Sequence, residues 1–274
     1  MQQEYIREFE FKDKDFEFIA EFVNSKTGIV ISDRKKNMIY SRVARRLRAL
    51  GYTRFKDYCD FLIENPDSEV TNLINAVTTN LTNFFREKHH FDHLKNYIQN
   101  FFSNKSRKIR FRIWSAGCST GQEAYTIAMI INSILPNIEQ HDIKILATDI
   151  DTNVLANAYE GKYAANEIQN IPKEFHKYID QINDKLIMSD KLKKIINFKQ
   201  LNLLETWPMK GLFDIIFCRN VVIYFDKETQ AGLFNRYANL LVKDGLIYIG
   251  HSENLYKVSD RYNLVGKTIY QKKN

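Results

Sequence analysis

The chain has 274 residues, of which 44% are hydrophobic and 13% aromatic, so it can bury a sizeable core and is not a disordered sequence. Its 40 basic and 33 acidic side chains give a net charge of +7, and no stretch approaches the roughly 18 apolar residues that a membrane-spanning helix needs. The start MQQEYIREFEF lacks the basic and apolar regions of a secretory leader, and three widely spaced cysteines favour neither disulfides nor zinc, so we expect a reducing cytoplasm.

The first part of the chain has a helical pattern. From Lys14 to about Phe102 apolar residues recur at spacings of three and four, and short polar or glycine-containing breaks separate the segments. These breaks lie at Ser25–Gly28, Gly51–Thr53 and Asn65–Ser68. The pattern predicts a small bundle of four or five helices, and we assign residues 1–90 to an all-α N-terminal domain.

Most of the excess positive charge lies in one segment. Residues 31–60 hold nine basic and three acidic side chains. On a helix predicted over Arg34–Leu50, Arg42, Arg45 and Arg48 recur at i, i+3 and i+6 beside the apolar face. A solvated helix face is the ordinary interpretation of such charge. The alternative is a docking surface for an acidic partner, which at this stage is a nucleic acid, an anionic lipid or an acidic protein.

After Arg110 the pattern changes to alternating strands and helices, which is typical of a largely parallel sheet covered on both faces. Strands are predicted at FRIWSA (111–116), IKILATD (143–149), FDIIFC (213–218), LIYIG (246–250) and, as an edge strand, NLVGKTIYQ (263–271). Helices are predicted at Gln122–Leu135, Thr152–Tyr159 and 227–242. The rhythm breaks at about 161–198, where KLIMSD and KKIINF indicate a small inserted β hairpin. We assign residues 91–274 to this second domain.

Polar residues follow the predicted strands at the edge where ligands bind in such sheets. The first strand leads through AGCSTG (116–121) into a helix, and Gly117 there permits close backbone approach to a ligand. The second strand ends in Asp149, which can accept ribose hydroxyls or simply cap the next helix. The dinucleotide and phosphate-loop motifs are missing from the sequence. A nucleoside ligand without a pyrophosphate is therefore favoured, and S-adenosylmethionine is the commonest such cofactor.

A third polar group follows FDIIFC, where Arg219, Asn220 and Tyr224 come after the strand. A polar turn with a core tyrosine is the alternative interpretation. The Pro-Pro-aromatic turn that is usual in amino-group methyltransferases is absent from this position.

Two further motifs carry weaker predictions. In HHFDH, His89 and His93 are four residues apart, but His90 replaces the glutamate of a zinc protease, so we expect a surface helix and no metal. Cys118 stands at the start of a helix without a clear base partner, and we expect it to serve backbone spacing.

Six motifs occur in order and at matching distances: TTNLTNFFRE, RIWSAGCSTGQEAYTIAM, ATDID, NLL, FDIIFCRNVVIYFD and GHSEN. With them the chain resembles the CheR-type chemotaxis receptor methyltransferases along nearly its whole length. The resemblance implies a Rossmann-like, S-adenosylmethionine-dependent methyltransferase domain with a small inserted β-subdomain, preceded by a small all-α domain. It also implies methyl transfer from S-adenosylmethionine to glutamate side chains on the cytoplasmic helical bundle of chemoreceptors, giving glutamyl methyl esters and S-adenosylhomocysteine.

Site residues follow from the same resemblance. The cofactor is expected to contact Asn80, Thr82, Arg86, Gly117, Glu123, Asp149, Asn202, Leu203, Arg219 and Asn220. Within this set Glu123 matches the acid near the methionine amino group, and Asp149 matches the ribose acid. Arg86 and Tyr224 match the residues at the reacting centre.

Departures from the family pattern are Leu81, Gln122 and Ala124, and the insert lacks the glycine-containing turn with which some members hold a receptor's C-terminal pentapeptide. We therefore expect a pentapeptide-independent enzyme that acts as a monomer, without nucleic acid or membrane insertion, and that docks its receptor through Arg42, Arg45 and Arg48. The alternatives are a nucleic-acid methyltransferase and a non-catalytic adaptor that binds the cofactor.

Overall fold

The computed structural model describes residues 7–103, 107–135 and 137–273, which form two compact units. One unit runs to Thr79 and also contains Tyr224–Asp226. The other unit takes Asn80–Ile223 and resumes at Lys227. The division falls inside TTNLTNFFRE, whereas the sequence places a domain boundary at residue 90.

Helices make up the first unit. They are α1 (Asp13–Thr27), α2 (Lys36–Leu50), α3 (Phe55–Glu64) and α4 (Pro66–Val77). Gly28 and Gly51 end the first two helices with φ of 70° and 77°, a left-handed conformation that glycine adopts without steric cost. The apolar face that the sequence predicts for α2 is buried, since Ile39, Val43 and Leu47 are fully inaccessible to solvent.

A buried carboxylate links three of these helices. Both oxygens of Glu69 accept hydrogen bonds at 2.8 Å from the Arg46 guanidinium, and Oε1 also accepts one at 3.0 Å from the Tyr58 hydroxyl. The Glu69 side chain is only 3% exposed. Arg46 therefore stabilises the helical unit and is not part of an outward basic surface.

The second unit contains a seven-stranded sheet. Its strands are β1 (Arg110–Ala116), β2 (Asp142–Asp149), β6 (Ile196–Gln200), β7 (Phe213–Cys218), β8 (Leu241–Ile249), β9 (Tyr262–Gly266) and β10 (Ile269–Lys272). They lie in the order β6-β2-β1-β7-β8-β10-β9, and the first five are parallel. Helices α6 (Gln122–Ile134), α7 (Thr152–Glu160) and α9 (Lys227–Leu240) connect them. Strand order reverses between β1 and β7, which places a ligand-binding crevice at their carboxyl ends.

Helix α5 (Lys88–Phe102) belongs to this second unit and not to the predicted helical bundle. Its apolar residues Phe91, Leu94 and Ile98 are buried in one cluster with Phe111 of β1 and Ile127 of α6. Helical periodicity reveals that a face is buried but not which partner covers it. The interpretation of HHFDH as a surface helix is wrong for the same reason, because His90 is completely buried.

Two strand predictions also need correction. The insert does form a small antiparallel sheet, in the order β3-β5-β4, from β3 (Lys162–Ala164), β4 (Ile179–Ile182) and β5 (Lys185–Met188). However, KKIINF is not its second strand, because it begins at the end of the short helix α8 (Asp190–Lys193) and continues into β6 of the main sheet. NLVGKTIYQ forms the β9–β10 hairpin, turning at Thr268 with φ of 55°, and not a single strand.

Among the described residues, no helix is both long enough and apolar enough to cross a membrane.

Candidate cofactor and active site

The loop after β1 forms one side of the crevice. The backbone N–H groups of Gly117 and Cys118 both donate to Thr148 O at 2.8 Å, which fixes the loop against β2. Gly117 has φ of 87°, and a Cβ there would lie 2.3 Å from a methyl group of Val221. A larger residue would therefore push this loop away from the segment that follows β7.

Asp149 ends β2 at the centre of this edge. Its carboxylate accepts hydrogen bonds from the backbone N–H groups of Ser119 at 2.8 Å and Asp151 at 3.0 Å. Burial raises the pKa of Asp149, and these backbone donors oppose that shift. A carboxylate offers about four acceptor sites, so the remaining capacity suits a ribose hydroxyl. The alternative interpretation, a cap for the next helix, is wrong for Asp149, because Asp151 caps α7.

Glu123 lies in the first turn of α6, where the helix dipole favours a negative charge. Its Oε1 accepts the Ser115 hydroxyl at 2.6 Å and its Oε2 accepts Arg219 Nη1 at 2.9 Å. Ser115 lies on β1, and Arg219 follows β7. Glu123 is thus fixed across the switch point, between β1 and the segment that follows β7.

The segment Asn80–Glu87 runs beside this loop. The side chain of Asn80 donates to Asp151 Oδ2 at 2.7 Å, and the carbonyl of Asn80 accepts the Ser119 hydroxyl at 2.9 Å. Arg86 Nη1 donates to the carbonyl of Leu81 at 2.8 Å. Asn80, Thr82 and Arg86 belong to the same unit as Asp149 and Glu123.

A further loop follows β6 and is fixed to β2 by a hydrogen bond of 2.9 Å from Leu201 N to Asp149 O. Asn202 is half-buried and turns the chain by accepting Leu204 N at 3.0 Å. Leu203 is buried, and its carbonyl accepts the Trp207 indole N–H at 3.1 Å. This loop provides an apolar and a polar group next to Asp149.

Comparison with known proteins identifies the group to which this architecture belongs. Residues 14–78 match the family description "CheR methyltransferase, all-alpha domain", and residues 80–271 match "CheR methyltransferase, SAM binding domain". The chain belongs to the CheR methyltransferase family. The predicted order, an all-α domain followed by an S-adenosylmethionine-binding α/β domain, is confirmed.

Relatives in this family match over most of their length. A probable chemotaxis protein methyltransferase of Rhizobium etli is 39% identical over 91% of this chain and 96% of that protein. The chemotaxis protein methyltransferase of Escherichia coli is 40% identical over 94% and 90%, respectively. That of Borreliella burgdorferi is 42% identical over 86% and 87%.

Within the CheR fold of this chain, Arg219, which the resemblance assigns to the cofactor site, lies among several acceptors of the protein itself. It is 7% exposed, and its guanidinium donates to Glu123 and to the carbonyl of Arg86 and lies 3.3 Å from Glu87. Its Cζ atom lies 5.3 Å from the ring centroid of Phe91. Arg219 therefore helps to fix the position of the Glu123 carboxylate.

Asn220 has φ of 59° at the end of β7, an uncommon conformation for a residue other than glycine. Its backbone N–H donates to Glu253 Oε2 at 3.0 Å. Glu253 is buried and also accepts the N–H groups of Val221, Val222 and Gly250. Sequence reasoning assigned no role to Glu253, although the acid stands in the GHSEN motif.

Tyr224 groups with the helical unit, whereas Arg86 belongs to the sheet unit. The carbonyl of Tyr224 accepts Val30 N at 2.8 Å, and Lys35 Nζ lies 4.9 Å from its ring centroid. The interpretation of Tyr224 as a core residue is not supported, since it is half-buried.

The three arginines of the CheR helical domain that the sequence predicts to dock the receptor differ in their surroundings. Arg42 donates to the carbonyls of Val77 and Thr78, and burial, followed by the nearby charge of Arg45, lowers the pKa of Arg42. Arg48 pairs with Glu8 at 2.9 Å, and Arg45 is exposed. Arg45 and Arg48 of the stripe that the sequence predicts are therefore both exposed, and Arg48 is already paired with an acid.

Other residues singled out from the sequence have structural surroundings. Phe84 packs edge-on against Tyr163 in the core, and Phe85 packs on Phe175. Cys118 is buried, and burial raises the pKa of its thiol well above the ordinary value, so the thiol stays protonated.

The histidines of HHFDH form different contacts from those that the motif indicated. His93 Nδ1 lies 2.8 Å from the Tyr248 hydroxyl and does not join His89. His89 instead lies near Glu87 and His90, with potential ligand atoms within 4.8 Å of one another. The guanidinium of Arg219 lies 3.3 Å from the Glu87 carboxylate and already neutralises it, which disfavours a metal cation at this cluster.

Proposed function

We propose that this protein methylates glutamate side chains of chemoreceptor cytoplasmic helical bundles, with S-adenosylmethionine as donor, giving glutamyl methyl esters and S-adenosylhomocysteine. Membership of the CheR methyltransferase family and the relatives' description as chemotaxis protein methyltransferases support the reaction class. The observation that carries the proposal is the fixed position of Arg86 in the unit that holds Asp149 and Glu123.

The residues of the crevice fit this cofactor. Asp149 retains acceptor capacity for the ribose, and Glu123 presents a carboxylate to the methionine amino group. Asn202 and Leu203 would lie beside the adenosyl part, with Asn80, Thr82, Gly117 and Asn220 completing the site. When bound, the cofactor supplies an electrophilic methyl group on a positively charged sulfur.

A glutamate acceptor explains why the reacting residues include no dedicated base. A glutamate side chain has a pKa near 4.3 and is already an anion at pH 7, so no proton must be removed. The protein must instead position the carboxylate and exclude water, and positioning alone can contribute about 7–11 kcal/mol. Arg86 would hold one carboxylate oxygen and leave the other to react, and Tyr224 would orient the same group. Arg86 must not overstabilise the substrate anion, because only interactions that strengthen in the transition state accelerate the reaction.

Receptor docking is the second element of the proposal. Chemoreceptor bundles that present acidic helices would meet the basic face of α2, mainly at Arg45, with Arg42 and Arg48 contributing positive potential. We further propose that the enzyme acts in the cytoplasm as a monomer, without nucleic acid. The turn between β4 and β5 contains Asn183 and Asp184 in place of glycine, which favours pentapeptide independence.

The test is transfer of labelled methyl from S-adenosylmethionine to receptor cytoplasmic fragments. Label that alkali releases, and that disappears when the acceptor glutamates are changed to glutamine, supports a glutamyl ester. Alkali-stable label on DNA or RNA would instead identify a nucleic-acid methyltransferase, and cofactor binding without transfer would identify an adaptor. Equal rates on fragments with and without their C-terminal five residues would support pentapeptide independence, and a marked loss on truncation would contradict it.

A further inference from the structure

The backbone around Arg86 is unusual. Phe85 and Glu87, the residues on either side, both have positive φ, at 54° and 59°. Residues other than glycine avoid this left-handed region, and they keep it only where the surroundings fix them. Two such residues flanking one arginine indicate that the direction of Arg86 is held by its neighbours.

The carboxylate of Glu87 is the anchor on one side. Its Oε1 lies 2.8 Å from His251 Nδ1 and accepts the backbone N–H of His251 at 3.2 Å. Its Oε2 lies 3.3 Å from Arg219 Nη2. Burial opposes the charge, but the His251 hydrogen bonds and the Arg219 charge outweigh it and lower the pKa of Glu87 to about 2. Glu87 is thus a carboxylate at every pH at which the enzyme would work.

Arg219 joins this anchor to the crevice. One end of its guanidinium donates to Glu123 Oε2 at 2.9 Å, and the other end faces Glu87 and donates to the carbonyl of Arg86. The same cation therefore contacts the acid assigned to the methionine amino group and the backbone of the residue assigned to the substrate carboxylate. On the other side, Phe85 N donates to the Thr126 hydroxyl at 3.3 Å.

We infer that Glu87 is a positioning residue that fixes the backbone conformation, and hence the side-chain direction, of Arg86 relative to Glu123 by holding Arg219 and the loop at His251. This inference rests on the proposed function, in which Arg86 meets the substrate carboxylate. Glu87 itself touches neither substrate nor cofactor in this role.

The primary variant is Glu87→Gln, which keeps the shape of the side chain but removes its charge. Its amide N–H₂ group would face either the donors of His251 or the guanidinium of Arg219. We expect the single-turnover transfer rate to fall about 10- to 100-fold, with S-adenosylhomocysteine affinity, measured by calorimetry, changed less than about threefold. In an Arg86→Lys background the same substitution should cost less than about threefold, because the side chain that it positions is already lost.

Glu87→Gly separates the carboxylate from the backbone requirement. Glycine adopts positive φ without steric cost, so this variant keeps the loop conformation accessible while it lacks the anchor. We expect it to fold and to transfer as slowly as Glu87→Gln. Glu160→Gln, an exposed glutamate on α7, controls for charge, and Tyr262→Phe, which loses a buried 2.7 Å bond to Phe234 O, controls for stability. Both controls should transfer at the wild-type rate.

A readout that needs no transfer is the Nε–H resonance of Arg86, assigned from its loss in Arg86→Lys. It should be a single dispersed signal in the wild type and shift toward the solvent-averaged position in Glu87→Gln. An unchanged resonance, a wild-type rate in Glu87→Gln, or an equal fold loss in the Arg86→Lys background would overturn the inference. Failure of the unaltered protein to methylate any receptor fragment would contradict the proposed function instead, and the resonance would still decide the positioning role.

Discussion

Glu253→Gln is expected to destabilise the sheet unit and to weaken cofactor binding together. Glu253 accepts four backbone hydrogen bonds that divide evenly between its oxygens. Oε1 receives the N–H groups of Val221 and Val222 at 2.9 and 3.1 Å, and Oε2 receives those of Asn220 and Gly250 at 3.0 and 2.5 Å.

The size of the effect follows from this symmetry. Glutamine places an N–H₂ group where one oxygen was, so in either orientation two backbone donors face another donor. Each buried donor left without an acceptor costs about 1–3 kcal/mol, which gives about 2–6 kcal/mol of unfolding free energy. Asn220 would also lose its fixed conformation, because its backbone N–H is one of the four donors. Its side-chain amide packs closely on Gly250, where a Cβ would lie only 2.4 Å away.

Urea unfolding measures the first effect, and calorimetry with S-adenosylhomocysteine measures the second, at a temperature where the variant stays folded. Glu228→Gln, which changes an exposed glutamate on α9, is the matched control and should alter neither quantity. A loss of less than about 1 kcal/mol would refute the assignment of Glu253 as the acceptor that holds this loop. A large loss of stability with unchanged cofactor affinity would refute its connection with the site.

Three further outcomes are expected. Arg86→Ala should lower methyl transfer about 100-fold or more while S-adenosylhomocysteine still binds, and unchanged turnover would remove Arg86 from the reaction. Arg45→Glu should raise the KM for receptor fragments about two- to fivefold at low salt and much less at high salt. The control is Lys243→Glu, which changes an exposed residue on β8, and an equal rise in KM there would exclude specific docking at Arg45. Burial, followed by the charge of Arg219, lowers the pKa of His90 from 6.5 to about 3. As the pH falls from 6.5 toward 3, the wild type should lose stability, because His90 takes up a proton in the unfolded chain before it does so in the folded protein. In His90→Gln, the free energy of unfolding measured with urea should fall by up to about 1.4 kcal/mol less per pH unit than in the wild type. Identical pH profiles for the variant and the wild type would show that the pKa of His90 does not differ between the folded and unfolded states.

Much of the cofactor side of the site is readable in the sequence, because its elements are local. A glycine loop between an apolar strand and a helix, and an acid ending the next strand, indicate Gly117 and Asp149 from the order of residues, whereas Glu123 is assigned by resemblance to the family. Parallel strands bring such carboxyl ends to one edge, so spacing along the chain translates into proximity. The domain order follows in the same way from the change in periodicity near Arg110.

Contacts between distant segments could not be predicted in this way, because the residues next to a side chain in the sequence do not determine which distant residue it will contact. The pattern of α5 predicts a buried face, but only the structure shows that the face packs on α6 and β1. The spacing of Arg42, Arg45 and Arg48 is regular, yet Arg42 is directed to the end of α4.

The amino-acid sequence by itself therefore determined the family, the order of the domains and the polar residues at the sheet edge, since motifs and periodicity are properties of short segments. Only the tertiary structure decided that Arg219 pairs with both Glu123 and Glu87, and that Glu253 accepts the backbone N–H of Asn220. The physical reason is that a buried charge must find its partner, and here each partner comes from a segment far away in the chain.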